Sequence, residues 1–192
     1  MYQYILFDLD GTLTDPREGI TKSVQYALDK MGISEPDLSA LEHFIGPPLY
    51  DEFRRCYQMD DAQAKKAVEA YRERFGVIGW QENILFDGVP ELLAALRNAG
   101  RKIAIASSKP TVFVQKILHM FEIERYFDVV SGASLDGSIG TKAQVVQQAL
   151  DAFGVSDLKT AVLVGDREEL ETAGASAVVD SLEELRGVLL AG

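Results

Sequence analysis

The chain has 192 residues, 47% of them hydrophobic and 26% charged, a balance that excludes a disordered segment and supports one or two folded domains around a real core. Thirty acidic against nineteen basic residues leave a net charge of −11, which repels a polyanion such as duplex nucleic acid, and no basic stripe offsets it. Cys56 is the only cysteine and reads as a partly buried thiol, so no intrachain disulfide forms; with no charged leader and no apolar run near the ~20 residues that span a bilayer, the expected location is the cytoplasm.

The first element is the apolar run "YQYILFDL", residues 2–9, which runs into two carboxylates, Asp8 and Asp10, followed by Gly11. Asp10–Gly11 alone would signal a hairpin, but the residues beyond it follow a helical period and not an alternating one. An interval of about seventy residues then precedes the next strand, far more than a simple crossover needs. Within it Ile20, Val24, Ala27, Leu28 and Met31 trace one helical stripe, and Ala64, Ala67, Tyr71 and Phe75 trace another. Between these, "FIGPPL" (residues 44–49) must be a rigid turn, because consecutive prolines cannot sit inside a helix. His43 here and His119 further on have no His or Cys at metal-ligand spacing and read as structural or surface residues. Trp80, in "VIGWQEN", is expected to pack where the chain returns from the insert.

The second half alternates helices and strands. "VPELLAALRNAG" (89–100) places Pro90 in the first turn, Leu92, Leu93, Leu96 and Ala99 on one stripe, and Gly100 at the end. The runs "KIAIASS", "YFDVVSG", "TAVLVGD" and "SAVVD" are continuously apolar, as strands covered on both faces are. "KAQVVQQALDAFG" is an amphipathic helix, and "SLEEL" opens the last helix with a capping box from Ser181 to Glu184. The expected fold is doubly wound α/β with a parallel sheet, its core formed by residues 1–14 and 83–192, with a helical domain, residues 15–82, inserted after the first strand.

Open α/β sheets bind ligands at the carboxyl ends of their strands. Asp8 and Asp10 close the first strand there, Ser107 and Ser108 the second, Asp166 closes "AVLVGD", and Lys142 opens a helix. A divalent cation among the aspartates would offset their repulsion and hold an anionic substrate oxygen, which makes a phosphate the expected substrate. Asp8 can then attack phosphorus, Asp10 can protonate the departing alcohol and later deprotonate water, and Ser107 and Lys142 can hold the transferred group's oxygens. Taken singly, Ser107, Ser108 and Lys142 suit capping or surface roles just as well; only their places relative to the strands raise them.

Four segments together carry a resemblance: "FDLDGTLTD" at 7–15, "IASSK" at 105–109, "TKAQVV" at 141–146 and "VLVGD" at 162–166. The chain resembles the haloacid dehalogenase superfamily, in its phosphoglycolate phosphatase-like branch with a helical cap. The resemblance implies that Asp8 is the nucleophile and Asp10 the acid/base. It implies that Mg2+ is held by Asp8, the Asp10 backbone carbonyl and Asp166, and that Gly11, Ser108, Gly46 and Pro47 contact a small phosphorylated metabolite. The insert becomes a mobile cap whose closure excludes water and selects the leaving group. One departure stands out. Such proteins carry a further acidic residue a few positions after "GD", then another helix and strand, whereas here "GDREELETAG" puts Leu170 near that position, with Glu168 or Glu169 as the available substitutes. A helix and a strand have in effect dropped out after "VGDR", and the expectation is that the physical protein contains them; if it does not, metal affinity suffers. The expected activity is hydrolysis of a phosphomonoester such as phosphoglycolate, a nucleotide or a sugar phosphate. The alternatives are a phosphosugar mutase or phosphotransferase of the same fold, a catalytically impaired phosphate-binding protein, and a phospho-acceptor signalling module. The large insert and the placement of Lys142 disfavour the last. Oligomeric state leaves no mark in the sequence.

Overall fold

The computed structural model describes residues 2–136, 138–165, 179 and 181–190. Asp166, the segment around Arg167 to Leu170 where a helix and strand were expected to be missing, and most of the last expected strand lie outside them. The chain divides into two compact units, Met1–Thr14 with Leu85–Gly192, and Asp15–Ile84.

The first unit is built on a four-stranded sheet in the order β5 (Val129–Ala133), β4 (Lys102–Pro110), β1 (Tyr4–Phe7), β6 (Ala161–Val164). All its pairings are parallel, with Tyr4 to Phe7 opposite Lys102 to Ile105 on one side and Ala161 to Val164 on the other. Alternation along a strand explains why the sequence is apolar without a break. Leu6, Ala104 and Ala106 pack on one face against Val145, Ala149 and Leu150 of helix α6 (Lys142–Phe153). Ile5, Phe7, Ile103 and Ile105 point to the other face and are equally buried. The strand order reverses at β1, so its carboxyl end is the expected ligand position of such a sheet.

Helix boundaries in this unit follow their sequence signals. α4 (Val89–Asn98) carries Pro90 in its first turn and buries Leu92, Leu93 and Leu96; Ala99, expected on the same stripe, is instead the exposed cap, and Gly100 (φ 73°) turns the chain out. α5 spans Thr111–Met120. α6 begins with a reciprocal capping box, Thr141 Oγ1 accepting from the Gln144 N–H and the Gln144 side chain accepting from the Thr141 N–H, which fixes the position of Lys142 at its first turn. The last helix, α7 (Leu182–Leu190), is capped by Ser181, which accepts from the Glu184 N–H.

The second unit is helical: α1 (Arg17–Lys30), a 3₁₀ helix (Leu38–Phe44), α2 (Leu49–Tyr57), α3 (Asp61–Arg74) and a π-helical turn (Phe75–Gly79). The expected stripes face its core, where Ile20, Val24, Ala27 and Leu28 of α1 and Ala64, Ala67, Tyr71 and Phe75 of α3 and the turn after it are buried. Two short strands, β2 (Thr14–Asp15) and β3 (Ile84–Leu85), pair in a separate ribbon.

Gly19 is where α1 meets the π-helical turn. A Cβ there would lie 2.0 Å from the Gly79 carbonyl oxygen and 2.8 Å from that of Glu82. Backbone cannot yield as a flexible side chain does, so Gly19→Ala is expected to destabilise this unit by about 3 kcal/mol. Trp80, the only tryptophan, directly follows the turn. Its fluorescence in a urea titration reads the loss, and an unchanged midpoint would show that the close approach is not needed for stability.

Candidate active site

Residues from three elements meet at the carboxyl end of β1. Asp8 follows the strand directly, and its N–H donates to the Val164 carbonyl (2.8 Å), which ties it to the end of β6. Its side chain is buried; Oδ1 accepts from the Leu9 N–H (2.8 Å) and Oδ2 lies 2.5 Å from Lys142 Nζ. Lys142 also donates to the Ala106 carbonyl of β4 (2.9 Å), so one ammonium bridges β1 and β4 from the start of α6. Its position relies on the Thr141–Gln144 cap beneath it.

Asp10 stands beyond the strand in a tight turn in which the Leu13 and Thr14 N–H groups donate to the Leu9 carbonyl. Gly11 permits this turn, with φ 78° and its N–H donating to the Thr14 carbonyl (2.8 Å). The turn brings the Asp10 carboxylate to Lys109, 2.8 Å from Nζ, both side chains almost wholly buried. Burial pushes the Asp10 carboxyl above the ordinary aspartate range, an effect that the adjacent Lys109 ammonium opposes but does not cancel. A carboxyl raised in this way suits proton transfer to a leaving group.

Ser107 is buried and its Oγ accepts from the Lys109 N–H (3.3 Å), while Ser108 is half-buried on the alternate side. Gly46 (φ 104°) and Pro47 belong to the second unit, in the turn between the 3₁₀ helix and α2. Asp8, Asp10, Ser107 and Lys142 thus lie in the first unit, Asp8 joined to Lys142 and Ser107 to the Lys109 that pairs with Asp10; Asp166 lies outside the described residues.

Lys109 was not among the candidates read from the sequence. "SSKP" resembles a loop after a strand, yet β4 runs on to Pro110, and its register against β5 shifts between Ser107 and Pro110, so plain alternation does not place Lys109. Its position in "IASSK", directly after the two candidate serines at the strand end, is the signal that could have found it. The chain is held in place by Gly132 of β5, where a Cβ would lie 2.7 Å from the Lys109 carbonyl oxygen and 2.9 Å from the Thr111 backbone nitrogen. Replacing Lys109 by Met removes the one influence that lowers the Asp10 carboxyl most, so that carboxyl should rise further. A general acid works below its pKa; the alkaline limb of the pH–rate profile is therefore expected to move to higher pH. An unmoved limb, measured on an alkyl phosphate, would separate Lys109 from Asp10 in function.

The donor chemistry of the site fits a hard divalent cation. Asp8 offers a carboxylate oxygen and Asp10 its backbone carbonyl oxygen, hard donors of the class Mg2+ prefers, which leaves the Asp10 carboxyl for proton transfer; its Oδ1 is buried with no hydrogen-bond partner among the described residues.

The sequence matches the family of haloacid dehalogenase-like hydrolases over residues 5–182. The chain belongs to that family. The resemblance read from its motifs is borne out, as is the α/β fold. A Pseudomonas aeruginosa protein named 5'-nucleotidase is 51% identical over 166 residues, covering 86% of this chain and 75% of that protein. The Mycobacterium tuberculosis protein named tyrosine-protein kinase PtkA is 39% identical over 180 residues; that is 94% of this chain, which spans 61% of the relative's length. Among solved structures, a predicted phosphatase from Clostridium acetobutylicum is 40% identical, with a TM-score of 0.94 and complete coverage of both chains. Among the described residues, no helix of this haloacid dehalogenase-like hydrolase is long and apolar enough to cross a membrane.

Proposed function

We propose that this hydrolase is a phosphatase of small phosphomonoesters that uses Asp8 as nucleophile and Asp10 as acid and base. The observation that carries the reading is the pairing of each carboxylate at the end of β1 with its own lysine, Asp8 with Lys142 and Asp10 with Lys109. The name of the Pseudomonas relative supports the substrate class, a nucleotide being one such ester.

An Asp8 carboxylate oxygen forms a bond to phosphorus while the ester P–O bond breaks, and the Asp10 carboxyl gives its proton to the departing alkoxide. Water then attacks the aspartyl phosphate; Asp10, now ionised, takes the proton, and Asp8 is regenerated as inorganic phosphate leaves. Lys142 screens Asp8 from the incoming dianion and, with the Ser107 hydroxyl, holds the transferred oxygens. Asp8, the Asp10 backbone carbonyl and Asp166 would hold Mg2+, which would supply further charge stabilisation of the phosphoryl oxygens. Assigning residues 15–82 to substrate selection, with Gly46, Pro47, Gly11 and Ser108 as substrate contacts, is part of the same proposal and rests on the family resemblance.

Phosphate release from a panel of nucleoside monophosphates, sugar phosphates and phosphoglycolate, with Mg2+ and with EDTA, tests the reading. Turnover of at least one ester that EDTA abolishes is expected; no release from any member would overturn it. The name of the Mycobacterium relative favours a second reading, in which the same aspartyl phosphate is passed to a tyrosine hydroxyl instead of water. Adding a tyrosine-containing acceptor peptide to the same assay distinguishes the two by where the phosphate ends.

A further inference from the structure

The helical unit holds a second convergence of donor atoms, remote in sequence from the aspartates and unused by the proposed chemistry. Glu52 and Cys56 are four residues apart on α2 and so share one face of it. The turn through Gly46, Pro47 and Pro48 folds the end of the 3₁₀ helix back onto that face, bringing His43 Nδ1 to 2.9 Å from Glu52 Oε2. Cys56 Sγ lies 3.7 Å from the same His43 nitrogen and 3.6 Å from the same Glu52 oxygen. The sequence shows no His or Cys at metal-ligand spacing from His43; its neighbours are nine and thirteen residues on, and only the turn brings them together.

We propose that His43, Glu52 and Cys56 form a binding site for a borderline-soft divalent transition metal of the Zn2+ class. The geometry is the first argument. A tetrahedron built on ordinary Zn–N, Zn–O and Zn–S bond lengths has edges of about 3.4–3.6 Å between its ligand atoms. The two edges to sulfur, 3.6 and 3.7 Å, are already close to that length, and the hydrogen-bonded His43–Glu52 edge of 2.9 Å must open. Donor chemistry is the second. Imidazole and thiolate select transition metals over the hard Mg2+ that suits the aspartates, and a thiolate with a carboxylate balances a divalent charge. Rigidity is the third. Phe44, next to His43, is buried against Phe53 of α2, ring centroids 4.9 Å apart, so the elements that present the donors are locked by packing. Three protein ligands leave a fourth position for water or an added ligand.

Arg55 is the competitor. Its guanidinium donates to Glu52 Oε1 through Nε (3.1 Å) and to Oε2 (2.6 Å). Its side chain is 65% exposed, so it can give up Oε2 to a metal, pass that donor to water and keep Oε1, acting as the partner that orients the carboxylate.

Co2+ titration of the full chain in excess Mg2+, which saturates the aspartate site, provides the test. One equivalent of Co2+ is expected to produce thiolate charge-transfer absorption in the near ultraviolet and the intense visible bands of a four-coordinate ion, both lost on adding Zn2+. Cys56 is the only cysteine, so the charge-transfer band has a single origin. Cys56→Ser should remove it, and His43→Gln should weaken binding at least about tenfold. Arg55→Met should strengthen binding severalfold by freeing Glu52, a gain that a purely structural polar cluster would not produce. Zn2+ should also slow alkylation of Cys56 in the unaltered protein, which needs no variant to fold. Absence of the charge-transfer band at stoichiometric Co2+, undiminished affinity in His43→Gln, no gain in Arg55→Met, or alkylation indifferent to Zn2+ would each overturn the site.

Discussion

Asp8→Asn is expected to lower phosphomonoester turnover by at least about 10⁴-fold while leaving the fold intact, because catalysis that runs through one nucleophile collapses when it is removed. The substitution keeps the shape of the side chain. An amide oxygen can still accept from the Leu9 N–H, and Lys142 keeps its bond to the Ala106 carbonyl, so the ammonium is not stranded. What disappears is the anionic oxygen that would attack phosphorus, and with it the aspartyl phosphate. The measurement is steady-state phosphate release on the ester that the panel identifies, combined with rapid quench and hydroxylamine trapping of the acyl phosphate. The unaltered enzyme should show the trapped species and Asp8→Asn should not. Turnover above about 1% of the original in a rigorously purified variant would remove Asp8 from the nucleophile's role.

Asp10→Asn carries the second large expectation, and its signature is a split between substrates. An alkoxide is a poor leaving group and needs a proton as the P–O bond breaks, whereas an activated phenolate leaves without one. Loss of the general acid should therefore cost about 10²–10⁴-fold on alkyl phosphates and far less on an aryl phosphate such as p-nitrophenyl phosphate. Asp10 is placed for this by three features: the Gly11 turn, a nearly complete burial that raises its carboxyl, and Lys109 at 2.8 Å. Equal loss on both substrate types would assign Asp10 to holding the site together instead of moving a proton.

These two carboxylates could be found in the sequence because "FDLDGTLTD" states its own context: a continuous apolar run that must be a strand covered on both faces, ending in acids where such strands meet ligands. Local rules of this kind depend on neighbours a few residues apart, and they held for the α4 stripe, the Ser181 cap and the helical stripes of Ala67 and Tyr71. Lys142 was reachable by the same logic, since its place at the opening of a helix beside the strand ends, and not its residue type, raised it above a surface role. Ala99 was misplaced only because the helix stopped one residue sooner than its apolar period, at the Gly100 turn.

What tertiary structure alone decided is which charges face one another. Periodicity tells on which side of its own element a group stands and is silent about the group across the gap, since that is set by how separate elements pack. The pairing of Lys109 with Asp10 spans ninety-nine positions and depends on β4 continuing past Ser107 and on the tight turn at Gly11. The burial that raises the Asp10 carboxyl is likewise a property of the assembled unit and not of the residue. His43 shows the same division at shorter range. Its spacing from Glu52 and Cys56 matches no helical or strand period, and they become neighbours because a proline-bounded turn and the Phe44–Phe53 contact reverse the chain between them.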